Sequence, residues 1–518
     1  MFEQRAAVFL DRDAILDTNS GLTANQDFVR ISPDVIGALR NLARRYFLFV
    51  FARPAFSEKQ IAPREIACLN LLLDQQFGSS SVDIRERHLC LDAQCNRIGC
   101  VDADPLFFMQ AAEKHGLNLK RSFIVSTHPH DFPPAEALGI YGLFVLSEPG
   151  LTYLGKLPDD RLVFHSLKHA ASWIGMHPDP VNDLERVLAN GAGSIKAGGL
   201  VAFPTETVYG LGADAFNTHA CARIFEVKKR PLHNPLIVHI ARTIQLEQLV
   251  ENVSPAALRL INRYWPGPLS LVFRKKNAVP DIVTAGQPTV AVRMPAHPLA
   301  SELIRRSETP IAAPSANAFG RTSATSAQHV LDQLQNCCDA LIDGGACRVG
   351  VESAVVSVTE TKPVLLRPGA IPIEDMEATA GAAFLRQSIL SAENNLQSPG
   401  MMNAHYQTTT PLHIVDNVLP FARRKDIGFL LFGRTGSPFA GPIRNLSPAG
   451  DLREAAVNLF RAMRELDALG LKAIVATLVP DTGIGYAIND RLRKASFKSM
   501  SFTGGKKDGF VSLGGLSS

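Results

Sequence analysis

Short apolar runs alternate with helix-like stretches along most of this chain, and this alternation is the feature that most restricts its fold. In the first third the runs are AAVFL at 6–10, YFLFVF at 46–51, SFIVS at 122–126 and YGLFVL at 141–146. Buried parallel strands joined by crossover helices produce such a pattern. The sequence therefore predicts an α/β protein whose first domain contains a parallel sheet.

The middle of the chain carries a second series of apolar runs, again separated by helix-like segments. A stretch rich in Pro and Asx residues, MHPDPVND at 176–183, precedes it and indicates a linker. We place a domain boundary near residue 177 and predict a second α/β domain. Its strand candidates are GLVAF (199–203), PLIVHI (235–240), LSLVFR (269–274), TVAVRM (289–294), PIAAP (310–314), ALIDGG (340–345) and ESAVVSV (352–358).

A third unit starts with DIGFLLFG at 426–433 and continues through an amphipathic helix into LKAIVATLV at 471–479. The 518 residues exceed what one hydrophobic core supports, since cores stop growing at roughly 250–300 residues. We therefore predict three domains, a connector and a flexible Gly- and Ser-rich tail. The boundaries are 1–176, 177–372 and 412–500 for the domains, 373–411 for the connector and 501–518 for the tail.

Charge and cysteine content narrow the class of protein. The net charge of +4, from 53 Lys and Arg against 49 Asp and Glu, gives no argument for binding to nucleic acid or to a membrane. The first residues, MFEQRAAVFLDRDAILD, place a charge every few positions, whereas a signal peptide or a spanning helix needs an uninterrupted apolar stretch. Because the eight cysteines are too scattered for a disulfide framework, we expect a cytoplasmic protein with no membrane association.

One cysteine cluster, RHLCLDAQCNRIGC, invites a comparison with zinc sites. Its four-residue gaps are wider than the CxxC knuckles of most zinc sites, and this disfavours zinc. Cys90, Cys95 and Cys100, with His88 beside them, stay weak candidates for a zinc site.

Hydroxyl-bearing residues follow the first strand of the middle domain. The segment PTETVYGLGADAF at 204–216 offers hydroxyls at Thr205, Thr207 and Tyr209, next to glycines. Small ligands bind at the carboxyl ends of strands in α/β sheets. A tight turn that needs its glycines explains the same segment equally well.

A basic loop, Lys228-Lys229-Arg230, precedes Asn234 and a strand that ends at His239. Cations at such a place can neutralise a polyphosphate, and the planar arginine fork matches phosphate oxygens. Taken alone, a solvated run of surface charge is the commoner explanation of the loop, and a lone histidine of this kind is more often a core residue.

Further polar residues follow the later strands, and their accumulation favours a ligand site. Strand ends on one side of the sheet would bring Arg230, Arg293, Arg367 and Lys228 around one concave site, where their mutual repulsion calls for an anion. The other candidates are Thr289, Ser315, Asn317, Ser323 and Ser353.

Seven segments of this domain, in their order and spacing, resemble the YrdC-like threonylcarbamoyl-AMP synthases in their long two-domain form. The likeness runs from about 183 to 498. It implies an α/β domain with a twisted mixed sheet and a concave basic site, followed by a small Rossmann-like C-terminal domain. The segments are PTETVYGLG, KxRPxxNPLIVHI, WPGPLS, TVAVRMP, IAAPSAN, VGVES and LLRPG.

The resemblance also implies an activity. L-Threonine, bicarbonate or CO2 and ATP, with Mg2+ on the phosphates, would give threonylcarbamoyl-AMP and pyrophosphate. The product would serve a downstream tRNA threonylcarbamoyl transferase, which forms N6-threonylcarbamoyladenosine next to the anticodon; contact with tRNA itself is a further expectation.

Roles follow from the resemblance, position by position. The threonine site would comprise Thr207, His239, Arg293 and Ser353. Lys228 and Arg230 would be the catalytic cations, with Asn317 also near the phosphates. The contacts to ATP would be Arg230, Asn234, Thr289, Ser315, Asn317, Ser323, Arg367 and, from the connector, Tyr406.

Two departures from the family pattern stand out. Ala354 replaces a usual threonine after Glu-Ser, and the connector has Met402-Asn403-Ala404 and Gln407-Thr408 where basic or aromatic residues and Ala-Pro are common. Because the core arginines are retained, we still expect activity.

The N-terminal segment AAVFLDRDAIL resembles the opening motif of haloacid-dehalogenase-type phosphatases, in particular the heptose-bisphosphate and histidinol-phosphate branch. In that family Asp11 would be the nucleophile and Asp13 the acid and base. The other motif residues of that family are poorly matched in this sequence. The cysteine cluster falls where heptose-type members carry a zinc loop. Ala52 replaces a Thr or Ser, acidic Asp102 and Asp104 stand where a lysine is expected, and Ser126-Thr127 replaces a metal-binding Gly-Asp, leaving only Asp131 further on.

Without its lysine and one metal carboxylate, a phosphoryl-transfer site loses charge neutralisation twice. We therefore expect a non-catalytic relic; the alternative is a bifunctional protein with residual phosphatase activity.

Two other functions are alternatives for the middle domain. A double-stranded RNA- or tRNA-binding module without turnover would use the basic concave surface, although 7% aromatic residues offer few stacking platforms. Carbamoyl transfer in hydrogenase maturation would require an acylphosphatase-like module and paired CxxC motifs, which the sequence does not contain.

Overall fold

The computed structural model describes residues 5–16, 31–52, 63–89, 105–146, 153, 157–158, 161–335, 337–386, 405–434 and 439–500. The chain forms two compact units, Met1–Arg186 and Val187–Ser518. The weak zinc candidates Cys90, Cys95 and Cys100, the acidic pair Asp102 and Asp104, and the predicted tail lie outside the described residues. Within them, no helix has both the length and the apolar character needed to cross a membrane.

A six-stranded sheet forms the centre of the first unit, and all its neighbouring strands are parallel, as predicted. Its order is β3-β2-β1-β4-β5-β6. The strands are β1 (Ala7–Asp11), β2 (Phe47–Ala52), β3 (Ile84–Leu89), β4 (Phe123–Ser126), β5 (Tyr141–Val145) and β6 (Leu162–Phe164). The helices are α1 (Arg12–Ile15), α2 (Pro33–Ala43), α3 (Pro63–Ser80), α4 (Pro105–His115), α5 (Phe132–Glu136) and α6 (Leu167–Met176).

The two strands that the apolar pattern did not predict, β3 and β6, lie at the edges of this sheet. An edge strand carries charged side chains more readily, and the sequence of β3, IRERHL, shows no apolar run. The strand order reverses between β1 and β4, and such a switch point opens a crevice at the carboxyl ends of the strands.

The second unit contains a ten-stranded mixed sheet in the order β13-β7-β8-β12-β9-β11-β10-β14-β15-β16. Each of the seven predicted runs contains one of its strands. The strands are β7 (Val201–Phe203), β8 (Gly210–Asp214), β9 (Ile237–His239), β10 (Leu269–Arg274), β11 (Thr289–Arg293), β12 (Ile311–Ala313), β13 (Ala340–Leu341), β14 (Ala354–Ser357), β15 (Val364–Arg367) and β16 (Leu385–Arg386).

Helices connect these strands and bury their apolar faces against the sheet. Helix α7 (Pro180–Lys196) precedes β7. The others are α8 (Thr218–Lys228), α9 (Leu246–Leu249), α10 (Pro255–Tyr264), α11 (Asp281–Thr284), α12 (Pro298–Ser307), α13 (Ala327–Leu334) and α14 (Ile373–Ala380).

A smaller parallel sheet, in the order β17-β20-β18-β19, follows the connector. Its core is continuous with three residues from elsewhere in the unit, Val208, Val351 and Tyr406. The strands are β17 (Leu412–Ile414), β18 (Ile427–Leu431), β19 (Ile443–Asn445) and β20 (Ala473–Ala476), and the helices are α15 (Leu452–Asp467) and α16 (Gly485–Met500).

The glycine-rich segment that the sequence also explained as a turn is a hairpin, with β8 antiparallel to β7. Gly212 lies so close to its neighbours that an added Cβ would be 2.5 Å from Ile311 Cγ2 and 2.7 Å from Phe203 Cε1. Glycine is therefore required here by packing against the adjacent strands rather than by a turn.

We predict that Gly212→Ala lowers the stability of the second unit by about 1–3 kcal/mol, the usual result of overpacking a core. Gly193→Ala is the matched control, because no atom lies within 4 Å of the added carbon. In helix α7 that alanine should raise stability by about 0.5–1 kcal/mol. Thermal and urea unfolding would measure both changes, and equal transition midpoints for the two variants would contradict the prediction.

Candidate active site

One edge of the ten-stranded sheet gathers polar side chains from several strands. Parallel β9 and β11 end side by side, with His239 and Arg293 paired in register. Strand β10 is antiparallel to β11 and parallel to β14, so Ser353, which precedes β14, reaches the same edge. Strand β15 is antiparallel to β14 and ends there at Arg367. Strand direction therefore brings together residues that are far apart in sequence.

A cavity opens at this edge. Thr205, Glu352 and His405, which carry no assigned role from the sequence, also line it. The predicted site residues in its lining are Arg230, His239, Arg293, Ser315, Ser353, Arg367 and Tyr406.

Arg230 is buried, and its hydrogen-bond partners among the described residues are neutral. Its Nε donates to the carbonyl oxygen of Asn234 at 3.0 Å, and its Nη2 donates to Asn234 Oδ1 at 2.7 Å and to the carbonyl oxygen of Pro235 at 2.8 Å. Burial, and secondly the charge of Arg367, lowers the pKa of Arg230 to about 9. An anion in the cavity would supply the counter-charge that these neutral partners do not.

Lys228, the last residue of α8, is buried in the same way. Its Nζ donates to the carbonyl oxygens of Ser315, at 2.6 Å, and of Asn317. Burial, with Arg230 as the second cause, lowers its pKa well below the ordinary value. Only Lys229 of the basic triplet is exposed; it adopts a left-handed φ of 51° that ends the helix. The surface-charge explanation therefore holds for that residue alone.

Arg293 has a carboxylate partner. Its Nη2 lies 2.6 Å from Glu206 Oε1, its Nη1 donates to Thr207 Oγ1 at 2.8 Å, and its Nε donates to the carbonyl oxygen of Gly267 at 3.2 Å. Thr207 in turn shares a hydrogen bond of 2.8 Å with Thr205, which lines the cavity. Within the described part of the chain, three of the five guanidinium N–H groups are thus engaged, which leaves two that can donate to a ligand.

Ser353 and Arg367 are joined by hydrogen bonds. Arg367 donates through Nε to the carbonyl oxygen of Ser353 at 3.1 Å and through Nη2 to its Oγ at 3.2 Å. The Ser353 hydroxyl also shares a hydrogen bond of 2.8 Å with Ser270. These contacts fix one hydroxyl and one guanidinium next to each other at the cavity wall.

Glu352 is a buried carboxylate in the cavity wall, and no role was predicted for it. Its Oε1 accepts a hydrogen bond from Ser323, and its Oε2 accepts one from Arg491 Nε at 3.0 Å. Burial by itself raises the pKa of Glu352, but Arg491 and then Arg367 outweigh that effect and bring the pKa to about 2. Glu352 is therefore ionised. Its place in the VGVES segment was the available signal.

His405 and Tyr406, at which the described chain resumes within the connector, line one side of the cavity. The Tyr406 ring packs against Phe460, with 5.4 Å between centroids, and its backbone has a left-handed φ of 62°. Its hydroxyl is buried, and within the described part of the chain it has no hydrogen-bond partner. A buried polar atom in this state requires an explanation, and a ligand in the cavity would supply one.

The other predicted residues lie around the cavity or away from it. Asn317 donates to two backbone carbonyls, those of Ala318 and Arg321, both at 2.9 Å. Thr289 begins β11 opposite Arg274, at the far end of the strand from Arg293. The structure does not place Thr289 in the cavity lining.

The first unit has a separate acidic cluster at the β1/β4 switch point. Asp11 Oδ2 accepts hydrogen bonds from the Thr127 hydroxyl at 2.7 Å and the Thr127 amide at 3.2 Å. Ser126 donates to Asp131, and His128 lies 3.8 Å from Asp13. Burial, and secondly Asp13, raises the pKa of Asp11. Across the described residues, no group of three or more His, Cys, Asp or Glu side chains is arranged to hold a metal.

The residues that line the cavity lie in the part of the chain that matches known protein families. Residues 194–369 match the Sua5, YciO and YrdC family described as "Telomere recombination", and residues 371–496 match the family described as "Threonylcarbamoyl-AMP synthase, C-terminal domain". The threonylcarbamoyl-AMP synthase of Pyrococcus abyssi is 44% identical over 314 residues, which are 59% of this chain and 92% of that protein. The enzyme of Bacillus subtilis is 41% identical over 337 residues, covering 62% and 97%.

Among solved structures, the crystal structure of P. abyssi Sua5 complexed with L-threonine matches with a TM-score of 0.56 and 43% identity. The match covers 60% of this chain and 94% of that one.

Three buried histidines predict how stability depends on pH. Burial, as the largest cause, lowers the pKa of each of His239, His297 and His405 to about 3. The pKa of a histidine in the unfolded chain is about 6.5, so below that pH the unfolded chain binds more protons than the folded protein does. The free energy of unfolding therefore falls by up to about 1.4 kcal/mol per pH unit for each histidine. Above about pH 6.5 these residues contribute no pH dependence.

His297 lies outside the cavity lining and caps helix α12, a role that asparagine can fill. We predict that the melting temperature of the protein falls from pH 6.5 to pH 5, and that His297→Asn makes this fall shallower. Calorimetry at several pH values would measure the slope. Identical slopes for the two proteins would show that His297 is not held neutral by the fold.

Proposed function

The chain belongs to the threonylcarbamoyl-AMP synthase family, and from this membership we propose that the cavity bounded by Arg230, Arg293, Arg367 and Tyr406 is its active site. The enzyme condenses L-threonine, bicarbonate or CO2 and ATP to threonylcarbamoyl-AMP and pyrophosphate. The observation that carries the assignment of the site is the pair of buried cations, Lys228 and Arg230, whose hydrogen-bond partners in the described structure are all neutral.

We assign the threonine site to Thr207, His239, Arg293 and Ser353; the last three line the cavity wall, and Thr207 supports Arg293 through a hydrogen bond. The two free N–H groups of Arg293 suit a carboxylate, and the pairing with Glu206 keeps the net charge of that wall low. His239 is neutral, since its pKa is about 3, and its Nδ1 lies 3.1 Å from the carbonyl oxygen of Ile237. Its Nε2 is therefore an acceptor for the hydroxyl or the amine of threonine.

We assign the ATP site to the opposite part of the cavity and its surroundings. Arg230 and Lys228 neutralise the phosphates, Arg367 adds a third cation, and the unpartnered Tyr406 hydroxyl is available to the nucleotide. The remaining residues that we place near ATP are Asn234, Thr289, Ser315, Asn317 and Ser323.

The chemistry follows from charge. The neutral amine of threonine combines with bicarbonate, with loss of water, or with CO2, with loss of a proton, to give a carbamate. A carbamate oxygen then attacks the α-phosphorus of ATP. The bond from the α-phosphorus to the bridging oxygen breaks, and pyrophosphate leaves. Because the carbamate is already anionic, the protein needs no strong general base; it orients the reactants and stabilises the charge that develops on the phosphates.

Magnesium is best understood as part of the ATP substrate. Glu352 is the sole carboxylate among the described lining residues, and both of its oxygens accept hydrogen bonds from protein donors. The lining therefore supports a Mg2+ ion carried by the phosphates and by water rather than by protein carboxylates.

We propose that the product passes to a tRNA threonylcarbamoyl transferase, and that this takes place in the cytoplasm, where ATP and tRNA are available. The family matches at 194–369 and 371–496 support separate domains at 177–372 and 412–500, joined by a connector at 373–411.

Arg230→Ala should abolish threonine-dependent release of pyrophosphate, since it removes a buried cation at the phosphates. The assay is incubation with ATP, threonine and labelled bicarbonate, followed by product analysis. Arg305→Ala is the control, because that arginine is exposed on α12 and paired with Glu302. Unchanged turnover in Arg230→Ala would remove Arg230 from the site, and salt-sensitive tRNA binding without any turnover by the natural protein would favour an RNA-binding module instead.

For the first unit we propose a haloacid-dehalogenase-like domain that has lost catalysis. The parallel sheet with a switch point between β1 and β4 supports this relation. The nucleophile of that family must be ionised, whereas burial and Asp13 favour the neutral form of Asp11, and Thr127 already occupies one of its oxygens. Zinc held by Cys90, Cys95 and Cys100 stays a weak prediction.

We predict that the protein releases no more phosphate from sugar phosphates, in the presence of Mg2+, than its Asp11→Asn variant does. Asp34→Asn serves as the control, because Asp34 is an exposed carboxylate of the same unit. Phosphate release that depends on Asp11 but not on Asp34 would establish the residual phosphatase activity instead.

A further inference from the structure

A carboxylate in a cavity that binds a polyanion needs an explanation, and Glu352 is such a carboxylate. It is ionised, it is 5% exposed, and it lines the same cavity as Arg230 and Arg367. A buried negative charge near the phosphates of ATP would repel them strongly, because the low dielectric of the interior screens charges poorly.

The benefit of Glu352 lies in the contact that it makes with Ser323. Its Oε1 accepts a hydrogen bond from the Ser323 hydroxyl, which is fully buried. Since Ser323 is one of the residues that we place near ATP, Glu352 fixes the orientation of a hydroxyl at the nucleotide.

The charge of Glu352 is compensated from helix α16 of the C-terminal domain. The side chain of Arg491 is 0% exposed, and its Nε lies 3.0 Å from Glu352 Oε2. Its Nη1 donates to the carbonyl oxygen of Pro368 at 2.7 Å, directly after Arg367. Its guanidinium carbon lies 5.7 Å from the centroid of the Tyr406 ring. Arg491 does not itself line the cavity.

We propose that Arg491 is a positioning residue through which the C-terminal domain neutralises Glu352, so that ATP can bind beside this carboxylate. The inference rests on the assignment of the cavity as the ATP site. It gives the C-terminal domain a defined electrostatic task in the reaction, beyond the packing of its core against Val208, Val351 and Tyr406.

The proposal predicts that loss of Arg491 affects the binding of ATP and the binding of threonine to different degrees. Removing the charge of Arg491 leaves a buried carboxylate whose main remaining counter-charge, among the described residues, is Arg367. This should weaken the binding of a highly charged triphosphate far more than that of threonine, whose net charge is zero. A general loss of structure would weaken the binding of both substrates to a similar degree.

The test uses the full-length protein and four variants. Arg491→Met should raise the Kd and the KM for ATP by about 10-fold or more, as expected when one partner of a buried pair is removed, with a smaller rise in the KM for threonine. Arg491→Gln, which keeps hydrogen-bond donors, should show the same separation. The exposed Arg493, two residues further along α16 and paired with Asp481, supplies the control Arg493→Ala, which should leave both constants unchanged.

The decisive comparison is the double variant Glu352→Gln/Arg491→Met. It removes both charges and keeps an amide oxygen to accept from Ser323, so the Kd for ATP should return to within about threefold of that of the natural protein. The proposal is overturned if the folded Arg491 variants bind ATP as Arg493→Ala does, or if Glu352→Gln fails to restore binding in the Arg491→Met background. If Arg491→Met does not fold, the same double variant is built on Arg491→Gln.

Failure of the proposed function would give a different result. The natural protein would then show no threonine-dependent release of pyrophosphate. The dependence of the Kd for ATP on Arg491, measured by calorimetry without turnover, would still test the electrostatic role by itself.

Discussion

Buried positive charge is the constraint on which the second unit depends. Moving an ion out of water costs several kcal/mol unless a partner compensates for the lost hydration. Arg293 finds such a partner in Glu206 at 2.6 Å, and Arg491 finds one in Glu352 at 3.0 Å. Arg230 instead has carbonyl and amide oxygens, which hold the guanidinium in place without cancelling its charge. The fold thus stabilises two charge pairs and leaves one electrostatic requirement, which in our proposal the phosphates of ATP satisfy.

The directions of the strands determine where this charge collects. In a mixed sheet, a strand that ends at the site and an antiparallel neighbour that begins there deliver side chains to the same edge. That is how Arg293, at the end of β11, comes to lie near Ser353, which precedes β14. The C-terminal domain completes the arrangement, because Arg491 reaches Glu352 from helix α16.

The first unit has a similar strand-end site, at which burial and hydrogen bonds act on a carboxylate. Asp11 occupies the carboxyl end of β1 at a switch point, where α/β proteins bind ligands. Hydrogen bonds from Thr127 satisfy its outer oxygen, and burial favours its neutral form. Both effects oppose the nucleophilic role that the motif suggests for Asp11, and they are the basis on which we propose that this domain has lost catalysis.

The sequence by itself determined the α/β class, the location of most strands and the family, because apolar periodicity and ordered motifs are local properties of the chain. It missed β3, β6, β8, β15, β16, β17 and β19, which are charged, short or glycine-rich and become strands only through their neighbours. The motifs also pointed to most of the polar residues in the cavity. Only the tertiary structure decided which charges are compensated. The pairs Glu206–Arg293 and Glu352–Arg491 join residues 87 and 139 positions apart, and Coulombic interaction depends on distance in space, which no local pattern encodes.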